Sequence, residues 1–490
     1  MLFNSVIFLI FFPIVTFLYF VMPHRYRWLL LLLASCYFYM SFVPVYILIL
    51  FFTIAVDFIA GRYIEKSSGK RRKLFLILSI LANVGVLFFF KYFNFFNHNM
   101  IRAVGLLGWN YPIKDLTFLL PVGLSFHTFQ SISYTIEVFR GNQKSERHFG
   151  IFALYVMFYP QLVAGPIERP QNLLHQFYEK HQFDFERVGS GLRRMLWGFF
   201  KKIVIADRLS FFVSQVFNNV YDYQGISLVI ATVFFAFQIY CDFSGYTDIA
   251  LGAAEVMGFK LMNNFNRPYI SRSISEFWKR WHISLSTWFR DYVYIPLGGN
   301  RVIWWRVGIN ILIVFLLSGL WHGANWTYIF WGGLNGLYLI SSSLTVAIRK
   351  KITSIIGLDH FPKIQKLWQI GITFSLTCFA WIFFRANTFV DAKYIIKNIF
   401  LGWGNFLSNI NNLTFLKDNI LMGKNLAEFM LAIMGILFLL LAEWWQEKST
   451  IFTQSLKVKS FLRVLAVATI IFAIFFLGEF KNQQFIYFRF

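Results

Sequence analysis

The chain has 490 residues, of which 57% are hydrophobic, 21% aromatic and only 14% charged, with 63 phenylalanines. A soluble chain of this length carries far more charge, so a soluble globular protein is excluded. The net charge of +23 sits in short loops between apolar runs, which argues against nucleic acid as a partner and fits anionic membrane lipids or phosphorylated ligands.

Apolar runs long enough to cross a bilayer recur from end to end, and spanning segments without the period-two alternation of a barrel must be helices. The expected class is an all-α polytopic membrane protein. The N-terminal run MLFNSVIFLIFFPIVTFLYFVM has no basic leader and no small-residue cleavage site, so it reads as a retained span. Spans are expected at 5–21, 28–42, 44–60, 74–96 and 116–139. Placing the N-terminus outside puts the basic loops HRYR (24–27), RYIEKSSGKRRK (62–73) and RGNQKSERH (140–148) in the cytoplasm, as the positive-inside rule requires.

Residues 149–170, FGIFALYVMFYPQLVAGPIERP, are apolar but broken by Pro160, Gly165 and Pro166. Segment 149–165 is expected to enter and leave on one side, which lipid permits only if protein covers its backbone. Residues 191–212 mix aliphatic and basic residues, as an interfacial helix does. Further apolar segments lie near 226–243, 303–321, 325–347, 367–385, 425–443 and 460–478, with a more polar connection at 386–424. The expectation is a bundle of roughly ten to twelve membrane helices with re-entrant and interfacial ones beside them, in a single domain, 1–490, whose motifs fall within about 118–345. Cys36, Cys241 and Cys378 are scattered and odd in number, which indicates neither a disulfide framework nor a zinc site, and no metal is expected.

Four stretches carry chemistry. In PVGLSFHTFQSISYTIEVFRG (121–141), Phe126, Phe129, Ile132 and Ile136 form one helical stripe, opposite His127, Gln130, Ser131, Tyr134 and Thr135. Such a polar arc either hydrogen-bonds neighbouring helices or lines a cavity. In FQIYCDFSGYTDIALGAAEVMG (237–258), Asp242 and Asp248 are six apart and point in different directions on a helix, so they are not a paired-carboxylate site. Asp242 is a candidate to orient a histidine or bind a backbone turn, and Cys241, with no base beside it in sequence, reads as a core residue. In SISEFWKRWHISLSTWFRDYVYIPLGGNR (273–301), Ser273 and Glu276 have capping-box spacing, Glu276 and Arg280 can pair at i,i+4, and a helix is expected to run to about Pro296. Between Lys260 and Arg306 lie eight Lys or Arg and two Asp or Glu. Tryptophans among cations suit a membrane interface and suit equally a pocket for an anionic ligand with an aromatic ring; Trp278, Lys279, Arg280 and Arg290 are the candidates for the latter. In LSGLWHGANW (317–326), His322 stands between two apolar runs, flanked by Gly319 and Gly323. An apolar setting solvates the charged imidazole poorly, so the ring stays uncharged and able to accept a proton from a hydroxyl.

The stretches FWKRWHISLSTWFRDYVYIPLGGNR and LSGLWHGANWTYIFWGGLNG, with PVGLSFHTFQSISYTIEVFRG, YPQLVAGPIERP, YCDFSGYTDIALG and the C-terminal QFIYFRF (484–490), resemble the membrane-bound O-acyltransferase family. Within it they are similar to the bacterial branch that O-acetylates alginate, peptidoglycan and related polysaccharides. The resemblance implies a helical bundle with a central funnel or tunnel, His322 as the essential intramembrane histidine and His282 as the second polar active-site position. It further implies acetyl-CoA as a cytoplasmic acyl-donor substrate rather than a bound cofactor, a separate extracytoplasmic acetyltransferase partner, and residence in the bacterial inner membrane. His127, Gln130, Ser131, Tyr134 and Asp242 are then candidates to line the tunnel. Competing readings are D-alanyl transfer to teichoic acid, a transporter of a polar substrate without acyl chemistry, and a scaffold for a secreted acetyltransferase.

Overall fold

The computed structural model describes the chain except residues 119, 164, 453–459, 481–484 and 487–490. The described residues form helices and connections, with no strand among them. Helices α1 (Val6–Val21), α2 (His24–Met40) and α3 (Ile47–Lys66) open the chain. Next, α4 runs from Gly69 to Leu106 through a π-helical turn at Phe88–Tyr92. The expected fifth span starts late, as α5 (Leu124–Arg140), because Pro121 and the left-handed Gly123 interrupt the backbone before it. Six helices among the described residues are long and apolar enough to cross a bilayer. Other expected spans are shorter, as α1 is, or carry a polar face, as α5 does.

Three basic loops gather at one end of the bundle. Arg27 donates to the His181 carbonyl at 2.6 Å and Arg72 to that of Phe139 at 2.7 Å. The Tyr178 hydroxyl donates to Glu146 at 2.8 Å. Loops 24–27, 62–73 and 140–148 therefore share one face with segment 170–184, the grouping that alternating spans predict.

The broken segment after this face folds as α6 (Phe149–Met157), a turn at 159–163 and an irregular stretch at 165–169. Its backbone is covered by protein, as a membrane requires. The Tyr155 carbonyl accepts from the side-chain amides of Gln130 at 2.6 Å and Gln161 at 2.7 Å. The Tyr159 N–H donates to Ser35 at 3.0 Å, and the Ile167 N–H to Ser284 at 3.1 Å.

Segment 191–212 corrects the expectation of an interfacial helix. Residues Phe185–Phe199 (α7), a π-helical turn at Phe200–Ala206 and Asp207–Phe217 (α8) follow one another without a break. They pack along the 32-residue α9 (Ile226–Met257), with Lys201 and Lys202 buried. Glycines permit the close crossing: a Cβ on Gly198 would stand 2.6 Å from the Gly245 carbonyl oxygen. The cations are inside because α9 supplies acidic partners, which a periodicity argument on 191–212 alone does not contain.

The 273–301 stretch also departs from a single helix. Ser273 caps α10 (Ile274–Arg280) by accepting from the Glu276 N–H, and Glu276 pairs with Arg280 at 2.8 Å, both as the spacing predicts. The helix then breaks, and His282 adopts φ +43° before α11 (Ile283–Phe289). The break is fixed from outside: the Asn264 carbonyl accepts from the Ile283 N–H at 2.9 Å, and its side-chain oxygen accepts from the Ser284 hydroxyl at 2.6 Å. The chain continues as α12 (Trp304–His322), α13 (Trp326–Leu344) and α14 (Pro362–Arg385). The connection at 386–424 contains short helices, and α15 (Leu426–Phe452) and α16 (Ser460–Leu477) follow.

Candidate active site

His322 is the last residue of α12 and is buried. Its ring meets Trp321, Trp331 and Phe384 edge-on, with centroids 4.9, 5.1 and 5.2 Å away. The Trp321 indole lies 6.1 Å from the ring of His282, and Phe126 lies 5.2 Å from that indole and 6.1 Å from His282. Two histidines 40 positions apart in sequence thus share one aromatic cage. His282 is fixed further by its own backbone: as the cap of α11, its Nδ1 accepts from the Leu285 N–H at 3.3 Å. A neutral imidazole that accepts at Nδ1 carries its proton on Nε2. Phe243 packs 4.6 Å from the same ring. Gly319 gives α12 its close approach to α13, since a Cβ there would stand 2.3 Å from the Tyr328 carbonyl oxygen. The neighbour that the small residue admits is protein backbone.

A small cavity is lined by this cage, and two larger ones are lined by residues that directly follow His322 and His282 in sequence. The small one, about 50 Å³, is lined by Lys91, Ser125, Phe126, Val163, Trp321 and His322. A second, about 390 Å³, begins one residue beyond His322, at Gly323, and includes Tyr328, Arg385, Lys202, Asp207 and Asp242. A third, about 570 Å³, is lined by Ile283, directly after His282, and by Arg194, Lys201, Asp248, Asn264 and Arg267. The first two lie at the His322 segment and the third at the His282 segment.

Helix α9 relates the larger two. Its C-terminal end lies at the basic-loop face: Phe259 packs 4.8 Å from His181, which binds Arg27. Asp248, in the third cavity, is therefore nearer that face than Asp242, in the second, by about 9 Å at 1.5 Å per residue. Asp242 and Asp248 do point apart, as their spacing predicts. The partners of Asp242 are Lys202, at 2.7 Å, and the Ile486 backbone N–H, at 2.7 Å, in place of a histidine or a local turn. Cys241 is buried core.

The polar arc of α5 lands on neighbouring helices. Gln130 holds the Tyr155 carbonyl. The Ser79 hydroxyl donates to the buried Asp57 at 2.6 Å and lies 3.1 Å from the Thr135 hydroxyl, and Ser131 is buried. The Tyr134 hydroxyl accepts from the Glu146 N–H at 2.8 Å. His127 is buried, 6.0 Å from the Tyr39 ring. Of the five candidate tunnel residues, Asp242 lines the second cavity. The four candidates for an anionic ligand are dispersed. Trp278 packs against Phe315 and Trp331, Arg280 pairs with Glu276 and Glu447, Arg290 pairs with Asp291, and Lys279 is exposed. The cations on the third cavity are Arg194, Lys201 and Arg267 instead. Lys91 was not among the sequence candidates either; a lone lysine inside FFFKYFNFF (88–96) was its signal, because an ionisable group in a span is costly.

Residues 146–384 match the model of the membrane-bound O-acyltransferase family. The chain is 39% identical over 444 residues to a probable alginate O-acetylase of Pseudomonas aeruginosa, covering 89% of this chain and 82% of that one. It is 36% identical over 399 residues to a peptidoglycan O-acetyltransferase of Helicobacter pylori, covering 75% and 73%. Against a teichoic acid D-alanyltransferase of Bacillus subtilis it is 25% identical over 326 residues, covering 64% and 78%.

Proposed function

The chain belongs to the membrane-bound O-acyltransferase family, and from that premise we propose that this multi-pass membrane protein moves an acetyl group from cytoplasmic acetyl-CoA to an extracytoplasmic acceptor in the bacterial inner membrane. The end product is an O-acetylated polysaccharide of the alginate or peptidoglycan type. Acetyl is preferred over D-alanyl because the O-acetylating relatives are 36–39% identical over 75–91% of the chain and the teichoic acid D-alanyltransferases 25–31% over 54–64% of it. The observation that carries the reading is the aromatic cage that brings His282 and His322 to the two sides of the Trp321 indole, with His322 lining a small cavity.

His322 acts as the general base. It takes the proton of an acceptor hydroxyl as the oxygen attacks the thioester carbonyl. The C–O bond forms, the C–S bond breaks, and the proton returns to the leaving thiolate. His282, presenting an N–H from Nε2, stabilises the carbonyl oxygen as negative charge develops; one such fixed donor contributes about 2.7–4 kcal/mol to the rate. The donor enters through the third cavity, at the end where the basic loops lie. Arg194, Lys201 and Arg267 attract its phosphates there. The acceptor approaches through the second cavity. A separate extracytoplasmic acetyltransferase then completes delivery to the polymer.

The test is labelled acetyl-CoA supplied to the cytoplasmic side of membrane vesicles holding the protein. Label reaching the far side with wild type and not with well-folded His322→Ala supports acyl transfer. A transporter keeps moving its substrate or fails without loss of an acyl product, and a scaffold leaves His322→Ala silent.

A further inference from the structure

We infer that Lys91 is the positioning residue of His322, the device that holds the catalytic end of α12 in register. This rests on the reading of His322 as the base. Lys91 lies inside the π-helical turn Phe88–Tyr92 of α4. Its ammonium donates to the Trp321 carbonyl at 2.7 Å, to the His322 carbonyl at 3.3 Å and to the Ser125 hydroxyl at 3.3 Å. It also stands 5.9 Å from the Trp321 ring centroid.

Each contact has a physical reason. The last carbonyls of a helix have no partner within it, and a cation at that end is favoured by the helix dipole. At the end of α12 those carbonyls belong to Trp321 and His322, the residues whose rings build the cage. A lysine more than 200 positions earlier in the chain satisfies them. The π-helical turn inserts one residue into the α-helical repeat and re-aims the side chains that follow; such turns cluster at functional sites. Ser125 joins the start of α5 to the same ammonium, so three helices meet at one charge. Lys91 and His322 also line the same 50 Å³ cavity. That volume is of the order of one or two water molecules, so a shift of the α12 end would misplace the imidazole within it. Misplacement of about 1 Å at a reacting group costs about 100-fold in rate.

The experiment compares wild type with Lys91→Met, Lys91→Gln and Lys91→Arg in purified full-length protein. Acetyl transfer is measured against donor concentration, and folding by thermal unfolding in detergent. Lys91→Met is expected to lower kcat at least tenfold while the donor KM stays within twofold. Lys91→Arg, which restores the charge, should regain several-fold over Lys91→Met. Lys91→Gln, which offers hydrogen bonds without charge, should fall between and keep the measurement informative if the methionine variant does not fold. Retention of more than half the wild-type kcat in Lys91→Met overturns the inference. So does a raised donor KM at unchanged kcat, which marks a donor-binding residue. So does equal loss in all three variants with lowered unfolding temperatures, which marks a structural residue. If His322→Ala keeps wild-type transfer, the acyl-transfer reading itself fails; if it is inactive while Lys91→Met is unaffected, only the positioning role fails.

Discussion

Lys201 and Lys202 are neighbours in sequence, yet their ammonium groups serve different cavities. Lys201 lies 2.6 Å from Asp248 on the side nearer the basic loops, while Lys202 lies 2.7 Å from both Asp207 and Asp242 on the opposite side. Both sit in the π-helical turn between α7 and α8, where α9 passes closely enough to offer two carboxylates from one helix. Charge on the two larger cavities is thus divided by a single step along the chain.

Lys202 is the hub of its cluster, so the three members are not equivalent. Lys202→Met leaves two buried carboxylates unpaired and should lower stability by about 3–5 kcal/mol. Asp242→Asn leaves Lys202 its second partner, Asp207, and should cost clearly less. Thermal unfolding of both variants in detergent orders them. An Asp242→Asn loss equal to that of Lys202→Met would show that the pairs are not shared through the lysine.

The α7–α9 crossing is intolerant of bulk. With the Gly245 carbonyl 2.6 Å from the place of a Cβ, Gly198→Ala should destabilise by about 1–3 kcal/mol through overpacking, and Gly198→Leu should prevent accumulation of folded protein. Gly371→Ala in α14, where nothing lies within 4 Å, is the matching control and should be neutral. Equal behaviour of the two alanine variants would remove the crossing from the account.

His282 has a conformational role and a chemical one, and these separate by substitution. Asparagine tolerates φ +43° and caps a helix, so His282→Asn should unfold at the wild-type temperature while acetyl transfer falls about 100- to 1,000-fold, the loss typical of one oxyanion donor. His282→Val, β-branched at a positive φ, should lose stability as well. Wild-type transfer by folded His282→Asn would remove the ring from the chemistry.

Long-range attraction of a phosphorylated donor by the cations lining the third cavity weakens with salt. The donor KM should therefore rise several-fold as ionic strength is raised from low to physiological, with kcat nearly constant. Arg267→Gln and Arg194→Gln should each raise KM and flatten that dependence. A KM indifferent to both salt and substitution would move the donor entrance elsewhere.

The apolar spans were legible because bilayer thickness fixes their length, and most helices from α1 to α16 begin within a few residues of the expected starts. Both histidines were legible from quoted motifs, but the cage around them was not, because Phe126, Phe243 and Trp321 converge from three separate helices. The break at His282 left no mark in SISEFWKRWHISLSTWF: the residues on either side suit a helix, and Asn264 decides otherwise. Lys201 and Lys202 read as the polar face of an interfacial helix, since Asp242 and Asp248 lie 40 or more positions away. The arc on α5 was visible as polar, and its partners Asp57, Ser79 and Tyr155 come from spans with no such periodic signal.

The C-terminal block QFIYFRF falls partly outside the described residues, but Phe485 and Ile486 are placed. Phe485 stacks on Tyr246 at 4.4 Å, and the Ile486 N–H reaches Asp242 at 2.7 Å. The ribosome delivers this amide 244 positions after its acceptor, which sits midway along α9, a helix that enters the bilayer far earlier. During biogenesis Asp242 must wait beside Lys202 with one hydrogen bond missing until residue 486 has been made. Nascent chains stalled before that point would present quality-control proteases with an open seam down the centre of an otherwise inserted bundle.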